Sequence, residues 1–196
     1  MQRDSSKKQL IVKRAVFALL LIGFLFAMGR ILYLNKKYPD PAVETYSQNS
    51  IIQLGNYEIS LTDWKWSDGE IVHEIYPGYK LIEMDGKEYP TEKERVGLAE
   101  ITVTKTKDDN TKLDLTEITF ESGAWGNQFD LELFMKLNPD LEGLVLEMEA
   151  GETKKIVFPM TMLDIQFSKK SWSHIDEKQF YVVVQYYPVK YQLLCK

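Results

Sequence analysis

Apolar residues follow three different rhythms along the chain. From Ala15 to Leu34 (AVFALLLIGFLFAMGRILYL) they run together for twenty residues, broken by one charge at Arg30. At about 1.5 Å of rise per residue, a helix of that length covers about 30 Å, the hydrocarbon thickness of a bilayer. The run holds twelve strong inserters, all Val, Leu, Ile or Phe. At about −0.3 to −0.6 kcal/mol each they outweigh about +3 kcal/mol for a mid-helix arginine. Arg30 also lies four residues from the end of the run, where a long side chain snorkels to the headgroups. A transmembrane helix over 15–34 is predicted.

Beyond it, Lys36 to Asn49 (KKYPDPAVETYSQN) is polar and marked by two prolines, which predicts a semi-rigid juxtamembrane stalk over 35–50. From Ile51 onward a period of two takes over. Tyr57, Ile59 and Leu61 alternate with polar residues, the phase breaks at Asp63, and Trp64 and Trp66 resume it one residue out of step. That is the pattern of a strand carrying a bulge. Ser67 to Glu94 is irregular, with turn signals at Pro77-Gly78 and Asp85-Gly86 and apolar anchors that include Leu81 and Ile82, and reads as loop, helical turn or edge strand.

Ala99, Ile101 and Val103 alternate again, and KTKDDNTK makes a polar turn before Leu113 and Leu115. Between Asp130 and Asn138 the rhythm changes to threes and fours, through Phe129, Leu133, Phe134 and Leu137, and predicts a short helix. Leu144 to Met148, the turn at Gly151 and Thr153 to Met160 read as a hairpin, with Pro159 at an edge or strand end. Asp164 to Glu177 reads as a connection or helical turn, and Phe180 to Tyr187 (FYVVVQYY) as the strongest strand, followed by Tyr191 to Leu194. About seven or eight strands with one or two short helices give a mainly β fold, a sandwich, over 51–196.

Charge orients the chain. Five basic residues precede the apolar run and three follow its start (Arg30, Lys36, Lys37), which favours a cytoplasmic tail over 1–14 and an extracytoplasmic domain, single-pass in the cell membrane. A second reading of the same stretch is a cleaved signal peptide. It has a basic region, an apolar core to Met28 and a small-x-small site at Ala27-Met28-Gly29, with cleavage after Gly29 and secretion of the remainder. The apolar continuation Ile31 to Leu34 favours the span. Of 24 basic and 29 acidic residues, the first 37 positions hold 8 and 1, leaving 16 and 28 for the remainder. An exported part of net charge −12 repels nucleic acid and anionic lipid. The lone cysteine, Cys195, permits no intrachain disulfide and reads as a small apolar residue closing the terminal strand. No cysteine near the apolar run is available for lipidation, and no Asn-x-Ser/Thr sequon occurs, which favours a bacterial envelope protein.

The order of the blocks YEISLTDWKW, LDLTEITFESGAWGNQFDLELFMKLNP, EAGETKKIVFPM and QFYVVVQYYPVKY resembles a family of small, N-terminally anchored proteins of Gram-positive bacteria whose domain has no known function. The Gly-Glu-Thr turn followed by a strand ending in Phe-Pro is similar to telokin-like, immunoglobulin-like domains of bacterial surface lipoproteins. The resemblance implies an immunoglobulin-like sandwich at the cell surface and carries over no functional residue.

Catalytic motifs are absent: there is no G-x-S-x-G elbow, H-E-x-x-H, P-loop or C-x-x-C, and His73 and His174 lie far apart in the chain. Both histidines read as surface residues. Asp63, Asp68 and Glu70 are the acidic residues closest to a cation loop, at spacings that differ from the D-x-[DN]-x-[DN]-G pattern, and Asp108-Asp109-Asn110 reads as an ordinary turn. Trp125 and Trp172 read as core, and Trp64 and Trp66 as one strand face of either orientation. Of Tyr186 and Tyr187, one at least must face outward. No catalytic, cofactor-binding or metal residue is assigned. The expected function is a non-catalytic binding or protein-interaction module of the envelope, its partners the membrane and another envelope protein. The alternative is a cation-dependent surface domain or hydrolase using the acidic loops.

Overall fold

The computed structural model describes residues 2–80 and 86–196. Leu81, Ile82 and the Asp85 half of the Asp85-Gly86 turn therefore lie outside the described residues. The chain divides into two compact units between Pro41 and Ala42.

The first unit is one helix, α1 (Gln2–Lys37). Its stretch Val16–Lys37 is long and apolar enough to cross a membrane. Phe17, Leu20, Phe24 and Phe26 are exposed along it. The Arg30 guanidinium lies 5.6 Å from the Tyr33 ring centroid.

The second unit runs, in chain order, β1 (Ala42–Tyr46), β2 (Ile52–Leu54), β3 (Tyr57–Asp68), α2 (Glu70–Ile75), β4 (Glu94–Lys105), β5 (Leu113–Asp114), β6 (Thr119–Ser122), β7 (Trp125–Gln128), α3 (Leu131–Leu137), β8 (Val145–Leu146), β9 (Thr153–Leu163), α4 (Lys169–Trp172), β10 (Phe180–Gln185) and β11 (Val189–Cys195). One sheet has the order β1-β11-β10-β6-β7, a second β2-β3-β4-β9, and β5 pairs with β8 alone. The two larger sheets face each other. Trp64 of β3 lies 6.3 Å from Phe120 of β6 and 6.4 Å from Phe180 of β10, ring centre to ring centre. Ile59, Leu61, Ile101, Val103, Ile156 and Phe158 from one sheet share one buried core with Phe120, Phe180, Val182 and Leu193 from the other. This is the sandwich that the alternating pattern predicts.

β4 shows why the period matters. Ala99, Ile101 and Val103 point into the core, whereas Val96 is buried on the opposite face. There it meets Val72, Tyr79 and Leu133 in a second, smaller cluster. Gly97 is required on the inner face: a Cβ there would come within 2.9 Å of Trp64 Cζ3 and 3.0 Å of Met160 Cε.

The bulge expected at Asp63 is present, as a register shift between Leu61 and Asp63 against β4. α3 forms where the three-four spacing puts it, capped by the Asp130 carboxylate accepting from Leu133 N–H at 3.1 Å. It lies against β9, the edge strand that contains Pro159. Just past its end the Asn138 side chain pairs like a strand. Its amide donates to Val157 C=O at 2.8 Å, and its carbonyl accepts from Val157 N–H at 2.9 Å.

Four expectations are corrected. The stalk is shorter than 35–50, because Ala42–Tyr46 pairs in parallel with Val189–Leu193 and belongs to the sandwich, which therefore begins at Ala42 and not at Ile51. Leu144 to Met160 is not a hairpin: β8 pairs with β5 and β9 with β4, since Leu146 and Met148 pin a loop to the core instead of forming a ladder. The last hairpin's first strand ends at Gln185, and both Tyr186 and Tyr187 are exposed in its turn. Eleven strands and three short helices occur among the described residues of the second unit, against seven or eight and one or two, because two- and three-residue strands leave no period to read.

Candidate functional site

At the end of β3 that holds Asp68 and the start of β4, the space between the sheets is open. Cross-strand pairing sets Asp68 opposite Arg95 and Trp66 opposite Gly97, so Trp66, Asp68 and Arg95 share the inner face at this mouth. The chain between β9 and β10 supplies Asp176, and the turn before β4 supplies Glu92. With Ser67 these residues line a cleft of about 370 Å³.

Trp66 is the aromatic residue of this lining, and it belongs to a ring array packed behind the cleft. Phe180 is the centre of that array: Trp66 meets it edge-on at 5.1 Å, Trp125 edge-on at 6.0 Å, and Trp64 stacks at 6.4 Å. Phe167 links Trp125 (5.8 Å) to Trp172 (5.9 Å). All four tryptophans thus belong to one array, each half-buried. Edge-to-face and offset contacts of this kind hold rings in fixed orientations.

Arg95 is fixed as firmly. Its guanidinium donates to Glu94 C=O at 2.8 Å, lies 3.4 Å from the Asp176 carboxylate and sits 5.6 Å from the Trp172 ring centroid. Opposite charge and a ring face together orient it without covering it. Three carboxylates against one guanidinium leave the lining with a formal charge of −2. One tryptophan held in place by its ring neighbours, with a lining of net negative charge, suits a group that brings apolar surface and a positive charge.

The sequence-named residues fall as follows. Asp68 lines the cleft. Asp63 pairs with Lys65 at 3.0 Å, which holds its carboxyl below the usual range, and Glu70 accepts from the Thr91 hydroxyl at 3.2 Å. Among the described residues no three His, Cys, Asp or Glu side chains converge as a metal ligand set, so Asp63, Asp68 and Glu70 are not brought together as one. The Asp108-Asp109-Asn110 turn has its cation built in: the buried Lys105 ammonium donates to Asp109 C=O at 2.6 Å and Thr111 C=O at 3.2 Å, 3.5 Å from the Asp109 carboxylate.

His73 lies on α2, and His174 is exposed beside Lys170 C=O and the Ser173 hydroxyl. Cys195 is buried opposite Phe180, and burial pushes its thiol up to about 12, as the reading of a small apolar residue implies. Arg95, Glu92 and Asp176 were not singled out in the sequence. The signal was the phase of β4: Ala99, Ile101 and Val103 put odd positions on the inner face, and Arg95 shares that phase.

The chain from 43 to 191 matches the family described as "Domain of unknown function (DUF5028)". Among solved structures it is similar to a conserved hypothetical protein from Bacillus anthracis, at 13% identity over 77% of this chain and 95% of that one, with a TM-score of 0.47. It is also similar to an uncharacterized beta-sandwich protein from Clostridium difficile 630, at 13% identity over 80% and 97% of the respective chains, TM-score 0.43. No curated protein matches it.

Proposed function

Given that this chain belongs to the DUF5028 family, whose description carries no activity, we propose from its own residues that it is a non-catalytic binding module of the bacterial envelope. In this reading α1 anchors it with the N-terminus cytoplasmic, and an immunoglobulin-like sandwich recognises an envelope protein outside the membrane. The observation that carries the reading is the cleft of Trp66, Asp68, Arg95 and Asp176: a preorganised aromatic and charged surface that offers recognition but no aligned nucleophile and base. The immunoglobulin-like assignment is supported by the parallel pairing of first and last strands and by the order β11-β10-β6-β7. Anchoring is supported by the exposed apolar surface and length of α1, and orientation by the basic residues before it.

A photo-crosslinking residue placed at Ser67 in the full-length protein, in its native membrane, tests the binding reading. Capture of one defined partner is expected, lost when Asp68→Asn is added and absent when the crosslinker stands at Glu147. Equal capture from both positions, or turnover of envelope polymers that ends when one carboxylate is replaced, overturns it. The intact mass of the same sample tests the anchor: a chain that starts at Arg30 is a secreted domain.

A further inference from the structure

Arg95 faces the cleft, and its neighbour Glu94 faces the other way. Glu94 points to the outer side of the four-stranded sheet, where Gly69, Thr91 and the start of α3 lie against it, and the residue is 2% exposed. Its Oε2 has no hydrogen-bond partner. That side chain is the reason for Gly69, since a Cβ there would stand 2.7 Å from Glu94 Oε2 and 3.0 Å from Thr91 C=O.

The groups facing it are acidic or neutral. From α3 comes Asp130, whose carboxylate accepts from the Tyr79 hydroxyl at 2.7 Å and the Thr161 hydroxyl at 3.3 Å. From the β3–β4 connection come Tyr79 itself and Glu88, the latter held by Lys80 at 3.0 Å near the surface. From the turn before β4 comes Thr91, whose hydroxyl is engaged by Glu70. From β9 comes Thr161, with Leu163 directly opposite Glu94 and Asp164 beyond it held by the Tyr89 hydroxyl.

A carboxyl with one buried oxygen unpartnered and two acidic neighbours, Asp130 and Glu88, is tolerated neutral and is expelled when charged. We propose that Glu94 is a proton-operated latch: with the proton on, the segment Gly69–Lys80 lies closed on the sheet, and with the proton lost to solvent the same segment loosens. Burial, with the Asp130 and Glu88 charges, pushes the Glu94 carboxyl up to about 7, so the latch turns over near neutrality. The sign follows from linkage. A carboxyl raised in the closed state binds more protons there than in the open state, so closure is favoured at low pH and weakens as pH rises from about 4.5 to about 7. The latch stands on the outer face and does not depend on the binding reading of the cleft.

Hydrogen exchange of the full-length protein in phosphatidylglycerol nanodiscs tests it, with rates corrected for their intrinsic pH dependence. The informative amides are Val72, Tyr76 and Tyr79, which donate to Gly69, Val72 and Tyr76 C=O. Their opening constant is expected to rise up to roughly thirtyfold from pH 5.5 to pH 8.0, while amides of β10 and β11 stay unchanged. Glu94→Gln is expected to abolish that rise. Asp130→Asn, which keeps an oxygen for the helix cap and removes the neighbouring charge, is expected to move the midpoint to lower pH. Unchanged protection of the three amides in the native sequence overturns the proposal without recourse to a variant. So does the same rise in Glu94→Gln, or an unmoved midpoint in Asp130→Asn.

Discussion

Gly97 and Lys105 sit on one strand and make opposite demands of it. Gly97 leaves the space in which the Trp64 ring lies. Gly97→Ala is expected to cost about 1–3 kcal/mol through overpacking and to shift the tryptophan emission, because the ring that moves is one of four in the array. Chemical denaturation followed by fluorescence reads both. Lys105 instead fills a place that two carbonyls and a carboxylate define. Lys105→Met keeps the stem and removes the donor, at an expected cost of about 2–3 kcal/mol. A lower urea midpoint with an unchanged slope would show lost stability without a changed unfolded state. The same ammonium explains why the acidic turn needs no added ion: 5 mM calcium is expected to leave the melting temperature unmoved, whereas a site at 100 times its dissociation constant would add about 2.7 kcal/mol.

Among the elements, those with a strict period were legible in the sequence and those held by their surroundings were not. The bulge at Asp63 and the helix Leu131–Leu137 left a phase break and a three-four spacing that only a strand and a helix produce. β1 left nothing, because Ala42–Glu44 is exposed on both faces and the strand is kept by backbone bonds to β11. Leu144, Leu146 and Met148 left a false signal, since a loop that dips into a core at every second residue alternates as a strand does. The cleft was legible only in part: Trp66 and Asp68 stand in one run, but Arg95 and Asp176 reach them from elements separated by the whole length of β9 and its connections. Asn138 is the clearest device invisible to pattern. It caps Val157, on the edge of the sheet, with two hydrogen bonds, and exposed edges are templates for pairing between chains. Asn138→Ala is expected to cost about 1–3 kcal/mol by leaving the part-buried Val157 N–H and C=O unpaired, and to shorten the lag of thioflavin-positive aggregation.

At the scale of the molecule, the boundary at Ala42 is the feature with the most practical weight. A chain beginning at Ala42 is expected to fold alone with a single cooperative transition, because both sheets and both apolar clusters lie within it. A chain beginning at Ile51 lacks β1 and is expected to melt several degrees lower, with β11 turned into a free edge. Scanning calorimetry of the two distinguishes them directly.

The parallel pairing of β1 with β11 also has a mechanical meaning. β1 is the point at which the chain leaves Tyr38–Pro41 and enters the sandwich, so it is the first strand to feel any pull applied through the N-terminal residues. Its backbone bonds to β11 lie across the axis and extend in register from Ala42 to Tyr46. A pull along the axis of β1 therefore loads them together in shear instead of one after another as a zipper, and the whole ladder shares it before any of the domain unravels.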